Sequence, residues 1–229
     1  AEAALLLLPD HRVRALENVV FAAPLKFYRD EPRTLSVQAV LCPDGDGWVA
    51  HARLLAERQL AGQSQPQRTL HFSATLRLSR GAPQPEQAEP VAPPQGAAAS
   101  AVLTARHVYA FYFHGPAYQV VASAWRAGDR AAAQMAVGLP HNHRPPDLPL
   151  ATDPRLVELC FQTAGLWQAG IDGVLALPAG VGQVQWVQDP ATASGVMVAT
   201  ARQTGEGRFD CEVVDALGHV IVRLRDYRT

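Results

Sequence analysis

The chain has 229 residues, of which 48% are hydrophobic and 18% charged, a composition that folds and can bury a sizeable core. A formal charge of −1 gives no basic footprint, so nucleic acid is not expected as a partner, and no apolar run is long enough to make a membrane span. Cys42, Cys160 and Cys211 are odd in number, widely spaced and free of CxxC or zinc-like patterns, which reads as reduced thiols in a cytoplasmic chain.

Ala1 to Leu8 predicts a helix that Pro9 and Asp10 stop. Its apolar part begins after Glu2, where a signal peptide would carry basic residues. No initiator Met is present, and the expectation is a cut inside a longer polypeptide. Strand-like runs follow at Ala15 to Phe21, Thr34 to Leu41, Trp48 to Leu55 and Thr69 to Leu78. The sequence Asp44-Gly45-Asp46-Gly47 between two of them is a strong hairpin signal.

Residues 81–100 hold five prolines, two glycines and no aromatic side chain, so they predict a linker rather than a packed element. The expected organisation is therefore residues 1–80, a Pro-rich linker at 81–100, and residues 101–229. In the last part Val102 to Phe113 reads as an extended strand, with Tyr109, Phe111 and Phe113 on one face and Tyr112 on the other. A Gly115-Pro116 turn follows, then strands at Tyr118 to Trp125 and Arg130 to Val137 around Gly128-Asp129. A Pro-rich loop, Leu139 to Leu150, leads into a helix, and strands are predicted at Gln183 to Val187, Gly195 to Thr200, Arg208 to Val214 and His219 to Arg225. Asp215 to Gly218 is the turn of the last hairpin. Each half reads as one helix followed by several antiparallel strands, an α+β arrangement in which a sheet wraps a single apolar helix. That is the layout of a tandem, or double, hot-dog fold.

The second helix is the candidate to carry chemistry. Asp153 suits the N-cap and Pro154 the first helical position, where no amide is needed. Leu156, Leu159, Cys160, Thr163, Ala164 and Trp167 recur at helical spacing, with Val157 and Phe161 widening the apolar surface. Glu158 and Gln162 are four apart and so stack on one face. Desolvation favours the neutral form of a carboxyl group, and a protonated carboxyl aimed at a leaving hydroxyl is a general acid. Gln162 would orient it. A Glu at a cleft edge reaching water is the plainer alternative.

Several runs resemble one family. The HGPAYQ run, His114 to Gln119, resembles the YGPxFQ-type motif in the second hot dog of polyketide synthase dehydratase domains. The run from Asp153 to Gln162 resembles their HPxLLDxxxQ helix, with Glu158 at the catalytic Asp position and Gln162 at the following Gln. Asp215 to Val220 resembles a late DxxGxV hairpin, and Leu16 to Phe27 the strand after the first hot-dog helix. Lys26 to Arg33 is similar to dehydratase-like regions of polyunsaturated fatty acid and glycolipid synthases.

The resemblance implies a lyase of a multidomain polyketide or fatty acid synthase. Its substrate would be a 3-hydroxyacyl chain on the phosphopantetheine of an acyl carrier protein, and its product a 2-enoyl thioester. No metal or redox cofactor is implied. Partners would be the acyl carrier protein, neighbouring synthase domains and a second copy in a homodimer, with no nucleic acid and no membrane. Glu158 and Gln162 would be catalytic, and Tyr112, His114, Gly115, Pro116 and Tyr118 would bind substrate. The family's basic His belongs to an HxxxGxxxxP motif before the first hot-dog helix, which places it upstream of Ala1. Glu158 stands where the family usually has Asp, and His114 where it often has Tyr.

The other histidines read as bland: His11 as a surface-loop residue, His51 and His71 as strand residues, His141 and His143 as members of a solvated loop. Two alternatives stay open: a non-catalytic dehydratase-like scaffold, and a hot-dog isomerase or thioesterase.

Overall fold

Alternating sequence in the first third forms four long strands in the computed structural model, which describes residues 1–26, 34–58, 62, 65–148 and 150–229. They are β1 (Arg12–Phe21), β2 (Leu35–Asp44), β3 (Gly47–Arg58) and β4 (Gln67–Ser79). The Asp-Gly signal holds: Asp44 pairs with Gly47, and Gly45 takes φ +55°, a region a two-residue hairpin turn requires. Seven strands follow: β5 (Leu103–Thr104), β6 (Val121–Ala127), β7 (Arg130–Met135), β8 (Gly180–Trp186), β9 (Val198–Gly205), β10 (Arg208–Val214) and β11 (Val220–Arg228).

All of them join one antiparallel sheet in the order β2-β3-β4-β1-β8-β11-β10-β9-β7-β6-β5. The two halves meet where β1 pairs with β8, from Ala15 opposite Gln185 to Val20 opposite Gly180. A Cβ at Gly180 would stand 2.6 Å from the Val19 carbonyl oxygen, so the seam has no room for a side chain there.

The second half wraps a helix, α3 (Pro154–Trp167), which packs on β6, β7, β9, β10 and β11. Leu156, Leu159, Cys160, Thr163 and Ala164 are fully buried against this curved face. Ala133 of β7 and Ala199 and Ala201 of β9 are buried in the same core as the helix, and their small side chains let it lie close to the sheet.

Four expectations change. The opening helix is one turn, α1 (Glu2–Leu5), and Leu6 and Leu7 beyond it are exposed. Eight residues before a proline are too few to sustain a helix without more packing. The segment Val102 to Phe113 is not extended. After β5 it turns into α2 (Ala105–Val108), whose Thr104 and His107 form a reciprocal capping box. Helical i to i−4 bonds then continue from Tyr109 to Ala105 and from Tyr112 to Val108. The linker is strapped down: Gln87 bridges His219, Ala88 donates to Gly218 and Val220 donates to Glu86. His11 is buried rather than a surface-loop residue. The Lys26 to Arg33 run lies, from Phe27 onward, outside the described residues.

Candidate active site

The site is assembled from α3 and the segment just after α2. Asp153 caps α3, its carboxylate accepting from the Arg155 amide at 3.1 Å, and Pro154 opens the first turn. Burial pushes the Asp153 carboxyl up, against the amides of Arg155 and Leu156, which favour its charge. One turn on, Glu158 and Gln162 face the same way, and Gln162 Nε2 donates to Glu158 Oε1 at 2.9 Å.

Gln162 is buried and its amide is held at both ends. Its Nε2 also donates to the Tyr118 carbonyl at 2.9 Å, and its Oε1 accepts from the Tyr109 hydroxyl at 2.8 Å. Tyr109 accepts in turn from the Val121 amide at 2.8 Å. Because the Tyr118 carbonyl can only accept, the Gln162 nitrogen is fixed on its side, facing Glu158 as well, and Oε1 is left to take the Tyr109 proton. The Tyr112 hydroxyl donates to the Gln162 backbone carbonyl at 2.9 Å and fixes the helix turn itself.

His114 completes the cluster. Its Nε2 stands 2.9 Å from Glu158 Oε1, and both side chains keep about a fifth of their surface exposed, at 21% and 22%. Its ring stacks on Phe113, with centroids 5.1 Å apart, and meets Tyr109 and Tyr112 edge-on. Gln119 donates to the His114 carbonyl at 3.1 Å and ties down the turn.

These groups open on a cavity of about 110 Å³ lined by Tyr112, Phe113, His114, Glu158, Phe161 and Gln162, with Gly165, Leu175 to Pro178 and Tyr227 on the far side. One wall is thus acid, amide and imidazole, and the rest is apolar. Burial, with the Glu158 charge adding to it, raises the Tyr112 phenol; burial also raises that of Tyr227, so both stay neutral.

Of the residues expected at the site, Glu158, Gln162, Tyr112 and His114 line the cavity. Tyr118 contributes its carbonyl to Gln162, while its hydroxyl accepts from Asn142 at 3.4 Å. Gly115 and Pro116 do not line it; they start the short 3-10 turn Pro116–Tyr118 that carries the chain back to β6. Tyr109, read as one of a row of strand aromatics, instead orients Gln162, while Phe113 is 79% exposed at the rim. The three-residue spacing of Tyr109 and Tyr112 is the signal for a helical turn that would have found this.

Phe161 and Tyr227, stacked with centroids 4.4 Å apart, and the Leu175 to Pro178 segment come from parts of the chain with no motif of their own. His51 bonds Thr75 and His71 bonds the Ala23 carbonyl, and among the described residues no histidine of 1–80 lines this cavity. His143 is engaged with Asn142 and the Leu148 carbonyl, and among the described residues no group of three metal-ligating side chains is found. Among those residues, too, no helix is long and apolar enough to cross a membrane.

The sequence matches the family described as "Polyketide synthase dehydratase N-terminal domain" over residues 81–229. The chain belongs to the polyketide synthase dehydratase family. Solved structures give the same fold. The dehydratase domain from the CurF module of curacin polyketide synthase aligns with 16% identity and a TM-score of 0.70, covering 99% of this chain and 79% of that one. The dehydratase domain of RzxB from Pseudomonas fluorescens aligns with 17% identity and a TM-score of 0.68, covering 98% and 80%. The erythromycin dehydratase aligns with 20% identity and a TM-score of 0.63, covering 94% and 73%. At these identities the likeness establishes the tandem hot-dog fold. No curated protein matches the sequence.

Proposed function

We propose that the chain is the dehydratase domain of a multidomain synthase, converting a 3-hydroxyacyl chain on an acyl carrier protein into a 2-enoyl thioester. The observation that carries the reading is Glu158, held by Gln162 on the polar wall of an otherwise apolar cavity. An acyl chain fits apolar walls, and its hydroxyl needs one proton donor at the polar end.

In this reading a base takes the proton next to the thioester carbonyl, where the carbonyl stabilises the resulting charge. The C–O bond to the hydroxyl breaks, and Glu158 gives that oxygen a proton so that it leaves as water. Gln162 positions the carboxyl throughout. Tyr112, His114, Phe161 and the Leu175 to Pro178 segment surround the acyl chain. The phosphopantetheine arm belongs to the substrate, and neighbouring synthase domains deliver it.

The test is incubation of the intact protein with a 3-hydroxyacyl carrier protein, with the acyl product weighed by mass spectrometry. Loss of one water in the native protein and its absence in E158A supports the proposal. Hydrolysis of the thioester, double-bond migration without water loss, or full dehydration by E158A overturns it.

A further inference from the structure

The cavity beside Glu158 has a polar flank and an apolar one. Glu158, Phe161, Gln162 and Gly165 line it from α3 at the spacing of one helical face, so it follows the helix for about 10 Å. At about 100° per residue, Gln162 lies to one side of Glu158 and Phe161 to the other. The Gln162 side is hydrogen-bonded, to the Tyr109 hydroxyl, the Tyr118 carbonyl and Glu158 itself. The Phe161 side is aromatic. Its ring stacks on Tyr227, with centroids 4.4 Å apart, and meets Phe21 edge-on at 6.1 Å.

Phe161 therefore stands between the cavity and a second aromatic layer. Phe21 of β1 and Phe72 of β4 meet edge to face at 5.6 Å behind it, and neither lines the cavity. Tyr227 is buried. Phe161 is thus clamped by partners from both halves of the fold and cannot swing aside without losing both contacts.

The space in front of the ring is small. An apolar cavity of ~150 Å³ takes benzene, so one of about 110 Å³ takes roughly four carbons. Phe113, Leu175 and Leu177 are exposed at the open rim, and a chain leaving over them would lie in water.

We infer that Phe161 sets the length of acyl chain the site accepts, and that the substrate class is a short 3-hydroxyacyl chain of about the size of 3-hydroxybutyryl. The inference rests on the reading of Glu158 as proton donor to the 3-hydroxyl. With that hydroxyl at Glu158 and the thioester at the open rim, further carbons run against the Phe161 ring. A methylene that enters an apolar site adds about fourfold in affinity, and carbons stopped by the ring gain none of this.

Binding and turnover by the intact protein test it. The binding probes are butanoyl, hexanoyl and octanoyl pantetheine analogues in which an amide replaces the thioester. They carry no 3-hydroxyl and cannot react. By calorimetry the native protein should bind all three within about threefold of one another. F161A, which vacates the ring, should bind hexanoyl about tenfold more tightly than butanoyl, and F161L should fall between. In turnover, kcat/KM for a 3-hydroxyhexanoyl carrier protein should not exceed that for 3-hydroxybutyryl in the native protein, and should exceed it by about tenfold in F161A.

Thermal melts identify which variants fold. F161L keeps an apolar side chain against Tyr227 and Phe21 and decides the matter if F161A does not fold. A native protein that gains about fourfold per methylene through octanoyl, or binds none of the probes, overturns the inference. A folded variant with the native length profile overturns it as well. Should no dehydration occur at all while the length limit moves with residue 161, the proposed reaction fails and the role of Phe161 stands.

Discussion

Tyr109 and Gln162 are locked by a 2.8 Å hydrogen bond whose direction is set outside the pair. The Tyr118 carbonyl can only accept and so holds the Gln162 nitrogen, which leaves Oε1 for the phenol proton while the Val121 amide donates to the phenol oxygen. Burial, helped by the Glu158 charge and opposed by the Val121 amide, pushes the Tyr109 phenol up to about 12, so it remains a donor at any working pH. The orientation of the amide that holds the Glu158 carboxyl therefore follows from the backbone at Tyr118 and Val121.

Y109F should separate this ordering from packing. The ring remains, but Gln162 Oε1 and the Val121 N–H lose their partner. The cost should be about 1–3 kcal/mol, read as a lower urea midpoint at unchanged slope. Gln162 keeps its bond to the Tyr118 carbonyl but loses the hold on Oε1, so the amide can tilt away from Glu158 and kcat should fall more than the loss of stability alone explains. A variant with native kcat would show that the amide is held without Tyr109.

G165A tests the other tyrosine. A Cβ on Gly165 would overlap the Tyr112 hydroxyl oxygen, closer than real non-bonded contacts allow. Tyr112 must shift, and its 2.9 Å bond to the Gln162 carbonyl breaks. Destabilisation of about 1–3 kcal/mol is expected despite the better helix propensity of alanine. The double variant G165A/Y112F should recover part of it, since the clashing oxygen is gone. Equal stability of G165A and the native protein would contradict the placement of Tyr112.

What the sequence made legible was local. The Glu158 and Gln162 pair follows from their four-residue spacing, and the Asp153-Pro154 start of α3 from capping chemistry. The hairpin at Asp44 to Gly47 follows from turn residues. The aromatic segment misled because alternate aromatics at Tyr109, Phe111 and Phe113 mimic a strand, whereas the Thr104 and His107 cap begins a helical turn. The linker composition excluded a packed element but could not show that its backbone pairs with His219 and Val220 at the start of β11. Such pairings, like the contact of His114 with Glu158 or the Phe161 and Tyr227 stack, join residues far apart in the chain, and no local pattern encodes them.

Asp215 should make stability depend on acid. Its side chain is buried, which alone would raise its pKa, but the Ser194, Leu217 and His219 amides and the His219 ring all donate to it. The donors outweigh burial and hold the carboxyl down at about 2. Unfolded, it titrates near ~3.9. The unfolded chain thus binds more protons between these values, and stability rises with pH there. The contribution of Asp215 should be complete above the unfolded value and fade as pH falls toward about 2. Tm measured at steps from pH 7 to 2 should show this loss, and D215N should be less stable at pH 7 with a shallower acid slope. An acid slope unchanged by D215N would rule the group out as its source.

E158D tests reach rather than chemistry. Aspartate keeps the carboxyl but retracts it by one methylene, about 1.5 Å of bond length. From 2.9 Å, neither the Gln162 amide nor His114 Nε2 would then meet the carboxyl oxygen without movement of α3, and α3 is packed into the sheet on its other face. Positioning errors near an ångström cost about 10²-fold in rate, so kcat should fall by about 10–100-fold with KM within about twofold. Stability should change by less than about 1 kcal/mol, because the carboxyl is partly open to solvent. Pairing E158D with H114Y, whose longer side chain carries a hydroxyl donor, should recover activity relative to E158D alone if the two positions are matched in length. A double variant whose losses simply add would show that the carboxyl is placed without residue 114.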